Sequence, residues 1–243
     1  MFIGYLIVNR EEAVLRELNL YPLWQRRVQA TPLSIRGERN SAGVGEVDIQ
    51  IHKSCEQVIS EIDWPELKEK VHNCTACKLR AGCKQTVFGV GDEKADWLFV
   101  GEGPGADEDV QGEPFVGQAG KLLDNMLVAI KLKRGKNVYI GNIVKCRPPG
   151  NRTPEADEIA TCLPFLQRQI SLIQPKIIVA LGKTAATALL GKDATLASLR
   201  GRLHDYHGIP LIITYHPAYL LRTPADKAKT WQDLCLAVKT REG

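Results

Sequence analysis

Long apolar runs, a leader peptide and a strong charge of one sign are all lacking in this sequence of 243 residues. The longest apolar stretches, such as 176–181, fall far short of the roughly 20 residues that span a bilayer, so we expect no membrane span. Residues 1–8 are apolar but carry no basic leader and no small-residue cleavage site, so we expect an intracellular protein. The net charge of +4 permits nucleic-acid partners without requiring them.

Motifs for nucleotide cofactors are lacking as well. The glycine-rich segment 101–105 has no third glycine three residues after the second, which the dinucleotide-binding fingerprint needs. Gly182, Lys183 and Thr184 imitate the end of a phosphate-binding P-loop, but Ile177 stands where that loop needs a glycine. Neither site is expected, and Thr184 is predicted instead to cap a helix.

The first 63 residues differ in pattern from the rest. Apolar residues within 11–28 predict a short amphipathic helix that breaks at a Tyr-Pro pair, and 31–51 reads as a flexible linker. We therefore assign an N-terminal arm and linker to 1–63 and a compact domain to 64–243. The arm is either a poorly ordered segment or a tethered helix that binds a partner.

The compact domain alternates short apolar runs with helical patterns. The apolar runs, predicted as buried strands, span 97–100, 138–140, 177–181 and 211–214. The helical patterns span 119–132, 154–173, 184–190 and 224–238. Pro154 after Thr153 predicts the start of the second helix. This alternation predicts an α/β fold, a parallel sheet with helices on both faces.

Polar residues follow three of the predicted strands. Glu102 follows the first, Asn142 the second and His216 the fourth. Ligands bind outside the carboxyl ends of parallel strands, so these three side chains are predicted to face one crevice. The glycines of 101–105 allow a close approach of the backbone to a ligand.

Two further residues have both a structural and a functional interpretation. Phe115 lies between Pro114 and Gly117, where an aromatic ring serves as a stacking platform more readily than as core. His216 is either a buried core group or a hydrogen-bond donor and acid–base group. We favour the functional interpretation of both because of their positions.

Seven cysteines in an intracellular chain indicate metal ligands or inert thiols rather than disulfides. Cys74 and Cys77 form a C-x2-C pair, which strongly indicates metal binding. Cys146 and Cys162 are candidates for the remaining two ligands, with Cys83 as a nearby competitor. Spacing alone does not distinguish a zinc site from an iron–sulfur cluster.

Together these motifs resemble those of the iron–sulfur type, family four, of uracil-DNA glycosylases. The resemblance covers roughly 64–237 and rests on separate motifs in matching order: the Cys74 and Cys77 pair, 101–109, 114–117, 142–149 and 216–219. It implies a three-layer α/β/α sandwich around a four-stranded parallel sheet. It also implies a [4Fe–4S] cluster on Cys74, Cys77, Cys146 and Cys162, in a prokaryotic, cytoplasmic protein that works at the nucleoid.

The resemblance implies a monofunctional DNA glycosylase that flips uracil out of DNA and hydrolyses its N-glycosidic bond. The resulting abasic site would start base excision repair. Phe115 would stack on the base, and Asn142 would read its O4 and N3–H. His216, with backbone N–H groups near Gly103, would stabilise the negative charge that grows on O2.

Other roles stay open at this stage. Glu102, Glu108 or Asp109 would position the attacking water. Leu220 would wedge into the space left by the flipped base, or else pack at a helix start, and Arg222 would bind phosphate. The basic residues near the cluster, Arg147 and Arg152, would also meet phosphates.

Two alternatives to this enzyme remain: a non-catalytic uracil- or DNA-binding module, and a zinc-stabilised hydrolase of free nucleosides. The short loop after Cys146 contains no histidine, which favours turnover over covalent trapping of uracil. The strand ends carry no evident catalytic lysine, although Lys183 stays open. In the arm, 18–27 is similar to the N-terminal arm of the psi subunit of the bacterial clamp loader, which implies a replication or repair partner.

Overall fold

The structure is a computed structural model of the chain, which describes residue 59 and residues 61–242. The predicted arm helix, the linker and the segment that is similar to the psi subunit lie outside the described residues. Among the described helices, none has both the length and the apolar character needed to cross a membrane.

A mixed sheet of six strands forms the centre of the described chain. The strands are β1 (Val90–Gly91), β2 (Trp97–Gly101), β3 (Val138–Asn142), β4 (Ile177–Leu181), β5 (Leu203–Tyr206) and β6 (Ile209–Thr214). Their order is β1-β3-β2-β4-β6-β5. The four central strands are parallel, and β1 and β5 pair antiparallel at the two edges.

The central strands form where the sequence is continuously apolar. All residues of β2, β3 and β4 are buried, as expected for strands covered by helices on both faces. The predicted α/β fold with four parallel strands is confirmed. The edge strands were not predicted: β1 has only two residues, and β5 buries only Tyr206.

The described helices alternate with the strands. They are α1 (Trp64–His72), α2 (Leu79–Gly82), α3 (Ala106–Gln111), α4 (Gln118–Ala129), α5 (Ala156–Ile173), α6 (Lys183–Leu190), α7 (Leu196–Leu199), α8 (Pro217–Arg222) and α9 (Lys227–Glu242), with 3-10 turns at Pro149–Asn151 and Pro224–Asp226. The four predicted helical patterns correspond to α4, α5, α6 and α9. The short helices α3 and α8 were not predicted.

Two predicted helix starts are wrong. Helix α5 begins at Ala156 rather than at Pro154, because Glu155 caps it and its N–H donates to the Glu158 carboxylate at 2.7 Å. Helix α6 begins at Lys183 after Gly182, whose φ of 95° places it in the left-handed region that favours glycine. Thr184 is therefore the second residue of α6 and not its cap.

Each face of the sheet carries its own hydrophobic core. Leu98 and Val100 of β2 point into one cluster, which includes residues of α1, α5 and α6. Trp97 and Phe99 point into the other, which includes residues of α4, α8 and α9. The sheet is thus the middle layer of three, and the loops at its carboxyl edge stay open to form a site.

Candidate functional site

The carboxyl ends of the central strands open into one crevice of about 860 Å³. The residues singled out from the sequence that line it are Glu102, Gly103, Glu108, Phe115, Asn142, Arg152, Lys183, His216 and Arg222. The strand registers explain this convergence, because Gly101 pairs with Asn142 across β2 and β3. The structure therefore brings together side chains that are up to 120 positions apart in sequence numbering, from Glu102 to Arg222.

Asn142 forms the end of β3 and is only 2% exposed. Its side-chain Oδ1 is buried and accepts no hydrogen bond from any described residue. A buried acceptor without a donor is costly in a folded protein. The Asn142 amide is therefore available for a ligand that brings an N–H group into the crevice.

Phe115 occupies the loop before α4 and is held in an uncommon backbone conformation, with φ at 56°. The Arg134 guanidinium donates to the carbonyl oxygens of Pro114 (2.9 Å) and Phe115 (2.7 Å) and to Asp124 (2.9 Å). Gly120 packs directly against this loop, and a Cβ there would lie 1.8 Å from the Phe115 oxygen. The ring is thus fixed from the backbone side.

His216 caps α8, and its Nδ1 accepts a hydrogen bond from the Ala218 N–H at 3.2 Å. Burial lowers the pKa of His216 to about 4, helped by the nearby Arg222 and opposed by Glu108. The ring is therefore neutral near pH 7, and its single proton lies on Nε2. Its centroid lies 5.5 Å from that of the Phe115 ring. His216 is thus equipped to donate one hydrogen bond.

Glu102 follows β2 and is partly buried in the crevice. Its Oε2 accepts a hydrogen bond from the Thr184 hydroxyl at 2.5 Å. Next to it, Gly103 leaves no space for a side chain, because a Cβ there would lie 2.7 Å from Val144 Cγ2. The loop backbone therefore approaches the crevice closely, with Glu102 as its acidic side chain.

The other two acidic candidates support loops. Glu108 accepts the backbone N–H groups of Gly105 (3.1 Å), Val116 (3.0 Å) and Gly117 (3.1 Å), so both carboxylate oxygens are occupied. Asp109 is 3% exposed and accepts the N–H of Lys84 at 2.8 Å. Glu108 lines the crevice, whereas Asp109 is not among its lining residues.

The segment after His216 is the helix α8. Leu220 is only 1% exposed and belongs to the core cluster shared with α4 and α9, so it does not face solvent. Leu221 is 45% exposed. Arg222, in the last turn of α8, donates to the Ala218 carbonyl at 3.0 Å and lines the crevice.

A second, smaller pocket is lined by the four cysteines of the predicted ligand set, Cys74, Cys77, Cys146 and Cys162. They come from the turn between α1 and α2, from the segment after β3, and from α5. The Lys145 backbone N–H donates to Cys162 Sγ at 3.2 Å. Among the described residues, no three His, Cys, Asp or Glu side chains are spaced to hold a single metal ion.

The four thiols suit a group that accepts several thiolates. Burial raises the pKa of Cys162 to about 11, against the opposite effect of Lys145. Burial also raises the pKa of Cys77 and Cys146, and neighbouring cysteines raise both further. A bound metal group would reverse this balance by stabilising the thiolates. Cys83 lies beside Cys146 but does not line the pocket.

Lys145 connects the cysteine pocket with the crevice. Its side chain is fully buried, and Nζ donates to the Asn142 carbonyl oxygen at 2.9 Å and to Gln169 Oε1 at 2.7 Å. Burial lowers the pKa of Lys145 to about 8. One residue thus contacts both the backbone of Asn142 and the thiol of Cys162.

The two basic residues near the cysteines that are expected to meet phosphates, Arg147 and Arg152, differ in their surroundings. Arg152 forms a bidentate ion pair with Glu158, with distances of 2.8 and 2.7 Å. This pair lowers the pKa of Glu158 to about 2. Arg147 donates from Nε to Asn151 Oδ1 at 2.7 Å and keeps its terminal nitrogens without a protein partner among the described residues. The Arg152 guanidinium is therefore largely occupied by its ion pair with Glu158, which stabilises the fold.

Sequence reasoning did not identify Arg134, Lys145 or Thr184 as parts of the site. Arg134 and Lys145 act through backbone carbonyls, which leave no sequence pattern. Thr184 had a usable signal, because it follows the predicted strand 177–181 and so belongs to the same sheet edge as Glu102.

Comparison with known proteins adds independent findings. The model of the uracil DNA glycosylase superfamily matches residues 88–235, which include the crevice but not Cys74 and Cys77. A type-4 uracil-DNA glycosylase of Pyrobaculum aerophilum is 43% identical over 185 residues, 72% of this chain and 93% of the relative. The type-4 enzyme of Thermotoga maritima is 45% identical over 165 residues, which are 67% of this chain and 85% of the relative. The type-4 enzyme of Archaeoglobus fulgidus is 41% identical over 167 residues, which are 65% of this chain and 83% of the relative.

Proposed function

The chain belongs to the type-4 uracil-DNA glycosylase family, and from this premise we propose that its crevice removes uracil from DNA. The chain acts as a monofunctional DNA glycosylase: it hydrolyses the N-glycosidic bond and leaves an abasic site, the first step of base excision repair. The observation that carries the proposal is the unpaired Asn142 Oδ1 in the crevice that Phe115 and His216 also line. A base stacked in a duplex cannot reach this acceptor, so the nucleotide must rotate out.

Asn142 provides the base selectivity. Uracil carries an N–H at N3 that donates to an acceptor, whereas cytosine has a lone pair at N3 and an amino group at position 4. The buried Oδ1 therefore gains a hydrogen bond with uracil and remains unpaired or repelled with cytosine. Phe115 supplies a flat apolar surface on which the flipped base stacks.

His216 stabilises the leaving base. As the bond between C1′ and N1 breaks, its electron pair stays on uracil and negative charge grows on O2, while the sugar becomes oxocarbenium-like. The neutral ring presents its Nε2–H as a donor, and the backbone near Gly103 approaches the same region. A preorganised donor in a dry site stabilises such a charge more strongly than water does.

Glu102 guides the attacking water. Among the three acidic candidates, it lines the crevice and keeps one carboxylate oxygen without a partner among the described residues. The water oxygen bonds to C1′ and its proton passes to a base, which Glu102 supplies. Glu108 and Asp109 hold the surrounding loops through backbone hydrogen bonds, and this use of their oxygens supports a structural role.

The side chains that are exposed around the crevice indicate which surface faces the DNA. Leu221, rather than the buried Leu220, is the apolar side chain available to fill the gap left by the flipped base. Arg222 at the crevice and Arg147 near the cysteine pocket supply positive charge for phosphates.

A [4Fe–4S] cluster is proposed on Cys74, Cys77, Cys146 and Cys162. Their convergence on one pocket supports it. When bound, the group supplies structural cross-linking. The cysteines would fasten the 146–162 segment to the turn between α1 and α2.

The arm is proposed to bind a replication or repair protein, on the strength of the similarity of 18–27 alone. Deletion of residues 1–50, which keeps the buried Ile59 of the domain core, is expected to leave uracil release intact and to remove a co-purifying partner. Because the substrate is DNA and the named relatives are prokaryotic, we place the protein at a prokaryotic nucleoid in the cytoplasm.

An oligonucleotide with one U·G pair separates the enzyme from a non-catalytic binding module. After incubation and alkali, the enzyme gives strand cleavage at the uracil position, because an abasic site is labile to alkali. A binding module gives a shifted band in a native gel and no cleavage. Glu102→Gln is the matched variant, expected to bind the DNA and to release uracil slowly.

A further inference from the structure

A hydroxyl group from a neighbouring strand end contacts the carboxylate that guides water. Thr184 is the second residue of α6, directly after β4, and Glu102 follows β2. Strands β2 and β4 are paired neighbours, with Val100 opposite Ala180, so the two loops meet at the sheet edge. Thr184 Oγ1 lies 2.5 Å from Glu102 Oε2.

The direction of this hydrogen bond is determined by chemistry. The Thr184 hydroxyl carries the proton and donates the hydrogen bond, and Glu102 Oε2 accepts it. No described residue donates to Oε1, which is therefore the oxygen available to a water molecule. A hydrogen bond to one oxygen fixes the rotation of the whole carboxylate group and so sets the direction in which the other oxygen points.

The threonine itself is rigidly placed. It lies in the first turn of α6, and its β-branched side chain has restricted χ1 freedom. The preceding Gly182 adopts φ of 95° and packs against His216, whose Cβ would lie 3.1 Å from a Cβ at this glycine. The turn that carries Thr184 is thus built against the residue that stabilises the leaving base.

The hydroxyl is not needed to start the helix. Gly182 is the residue that caps α6, and the Thr184 side chain makes no capping hydrogen bond among the described residues. Valine has nearly the same shape as threonine and lacks the donor. The contact with Glu102 can therefore be removed with little change in packing.

We infer that Thr184 is a positioning residue of the glycosylase reaction, which orients the Glu102 carboxylate so that its free oxygen directs water at the sugar. The inference rests on the proposed function. Thr184 acts only through Glu102, so its contribution should disappear when Glu102 no longer carries a charge.

Single-turnover release of uracil from a U·G duplex tests the inference. Thr184→Val is expected to lower the rate constant about 10- to 100-fold, the usual effect of losing a hydrogen bond to a charged group, with DNA affinity unchanged. Thr184→Ser keeps the donor and is expected to stay within about threefold of the wild type. Thr161→Val, which removes a hydroxyl bonded only to the Asp157 carbonyl of its own helix, is the control.

The combination with Glu102→Gln is decisive. Thr184→Val added to this variant is expected to cause no further loss, because residues that act as a unit are not additive. A full additional loss in the double variant, or equal damage by serine and valine, would show a packing role and overturn the inference. An unchanged rate in Thr184→Val would overturn it too. If the wild type itself releases no uracil, the proposed function has failed instead.

Discussion

Asn142 combines two properties that seldom coincide in a residue kept only for stability. It is buried, and its Oδ1 has no donor among the described residues. An unpaired buried acceptor costs about 1–3 kcal/mol, whereas an apolar side chain of the same shape would not. The residue therefore destabilises the free protein at the position where a uracil N3–H would pair with it.

Asn142→Leu should consequently separate activity from stability. We expect uracil release to fall about 10- to 100-fold in kcat/KM, because a buried hydrogen bond is lost. The melting temperature should stay the same or rise, as measured by calorimetry. Asn137→Leu is the matched control, since the Asn137 side chain bonds to the backbone and carboxylate of Asp96 and should lower stability while activity persists.

His216 predicts a definite pH dependence. Its pKa of about 4 in the folded chain lies below the ordinary value of 6.5 because the ring is buried. The unfolded chain therefore binds more protons between these values, so the stability from His216 is complete above pH 6.5 and is lost as the pH falls towards 4. The difference in melting temperature between the wild type and His216→Asn should therefore shrink as the pH is lowered from 6.5 to about 4.

Ring proton resonances give the direct measurement for His216. NMR titration should show no change of its ring signals between pH 5.5 and 8 and a midpoint near 4. A midpoint near 6.5 would mean a partly charged ring at neutral pH, and the neutral-donor role would be wrong.

At the scale of the elements, α4 and the loop before it depend on Arg134. Its guanidinium is three-quarters buried and satisfies two carbonyl oxygens of the Phe115 loop. Arg134→Met should lower the free energy of unfolding by about 2–4 kcal/mol, because these acceptors lose their donor. Asp124→Ala removes only the half-exposed ion pair and should cost below about 1 kcal/mol.

Chemical denaturation measures the stability of Arg134→Met and Asp124→Ala, and uracil release shows whether the Phe115 ring is still in place. We expect Arg134→Met to raise KM, since a loosened Phe115 stacks less well on the base. Equal stability of the two variants would mean that the carbonyl contacts do not hold this loop.

The elements also show what a sequence can and cannot predict. The central strands were predictable because burial on both faces produces continuous apolar runs. The edge strand β5 escaped because it has four residues and buries only Tyr206, and α8 escaped because six residues cover fewer than two helical turns and so show no repeat. The strand-end rule placed Glu102, Asn142 and His216 at one crevice.

Contacts between distant segments were not predictable. Thr184 and Glu102 are 82 positions apart, and neither sequence neighbourhood marks the other as its partner. Burial depth was equally hidden: Leu220 and Leu221 are adjacent and chemically alike, yet only the helical turn of α8 decides which one is buried.

For the whole molecule, the cysteine pocket links the start of the described chain to its middle. Cys162→Ala should abolish the broad absorption near 400 nm that an iron–sulfur cluster gives, and should lower the melting temperature by more than about 5 °C. Cys235→Ser, at an exposed thiol, is the control and should retain both properties. Spectra and melting curves of protein purified without air provide the measurement.

Cys83→Ser distinguishes the ligands from their neighbour. The Cys83 side chain contacts Cys146 but does not line the pocket, so the absorption near 400 nm should persist in this variant. Loss of colour in this variant, or retention of colour in Cys162→Ala, would mean that the ligand set is assigned wrongly.

Selection of uracil and cleavage of its bond to the sugar are both expected of this one crevice. Mass spectrometry of the free bases that the full chain releases from duplexes with a single U·G or C·G pair measures both properties. We expect one free uracil for each abasic site, no free cytosine, and release of uracil by Asn142→Leu that is slower by about tenfold or more. DNA binding without a free base, or unchanged release by Asn142→Leu, would show that the crevice does not carry this reaction.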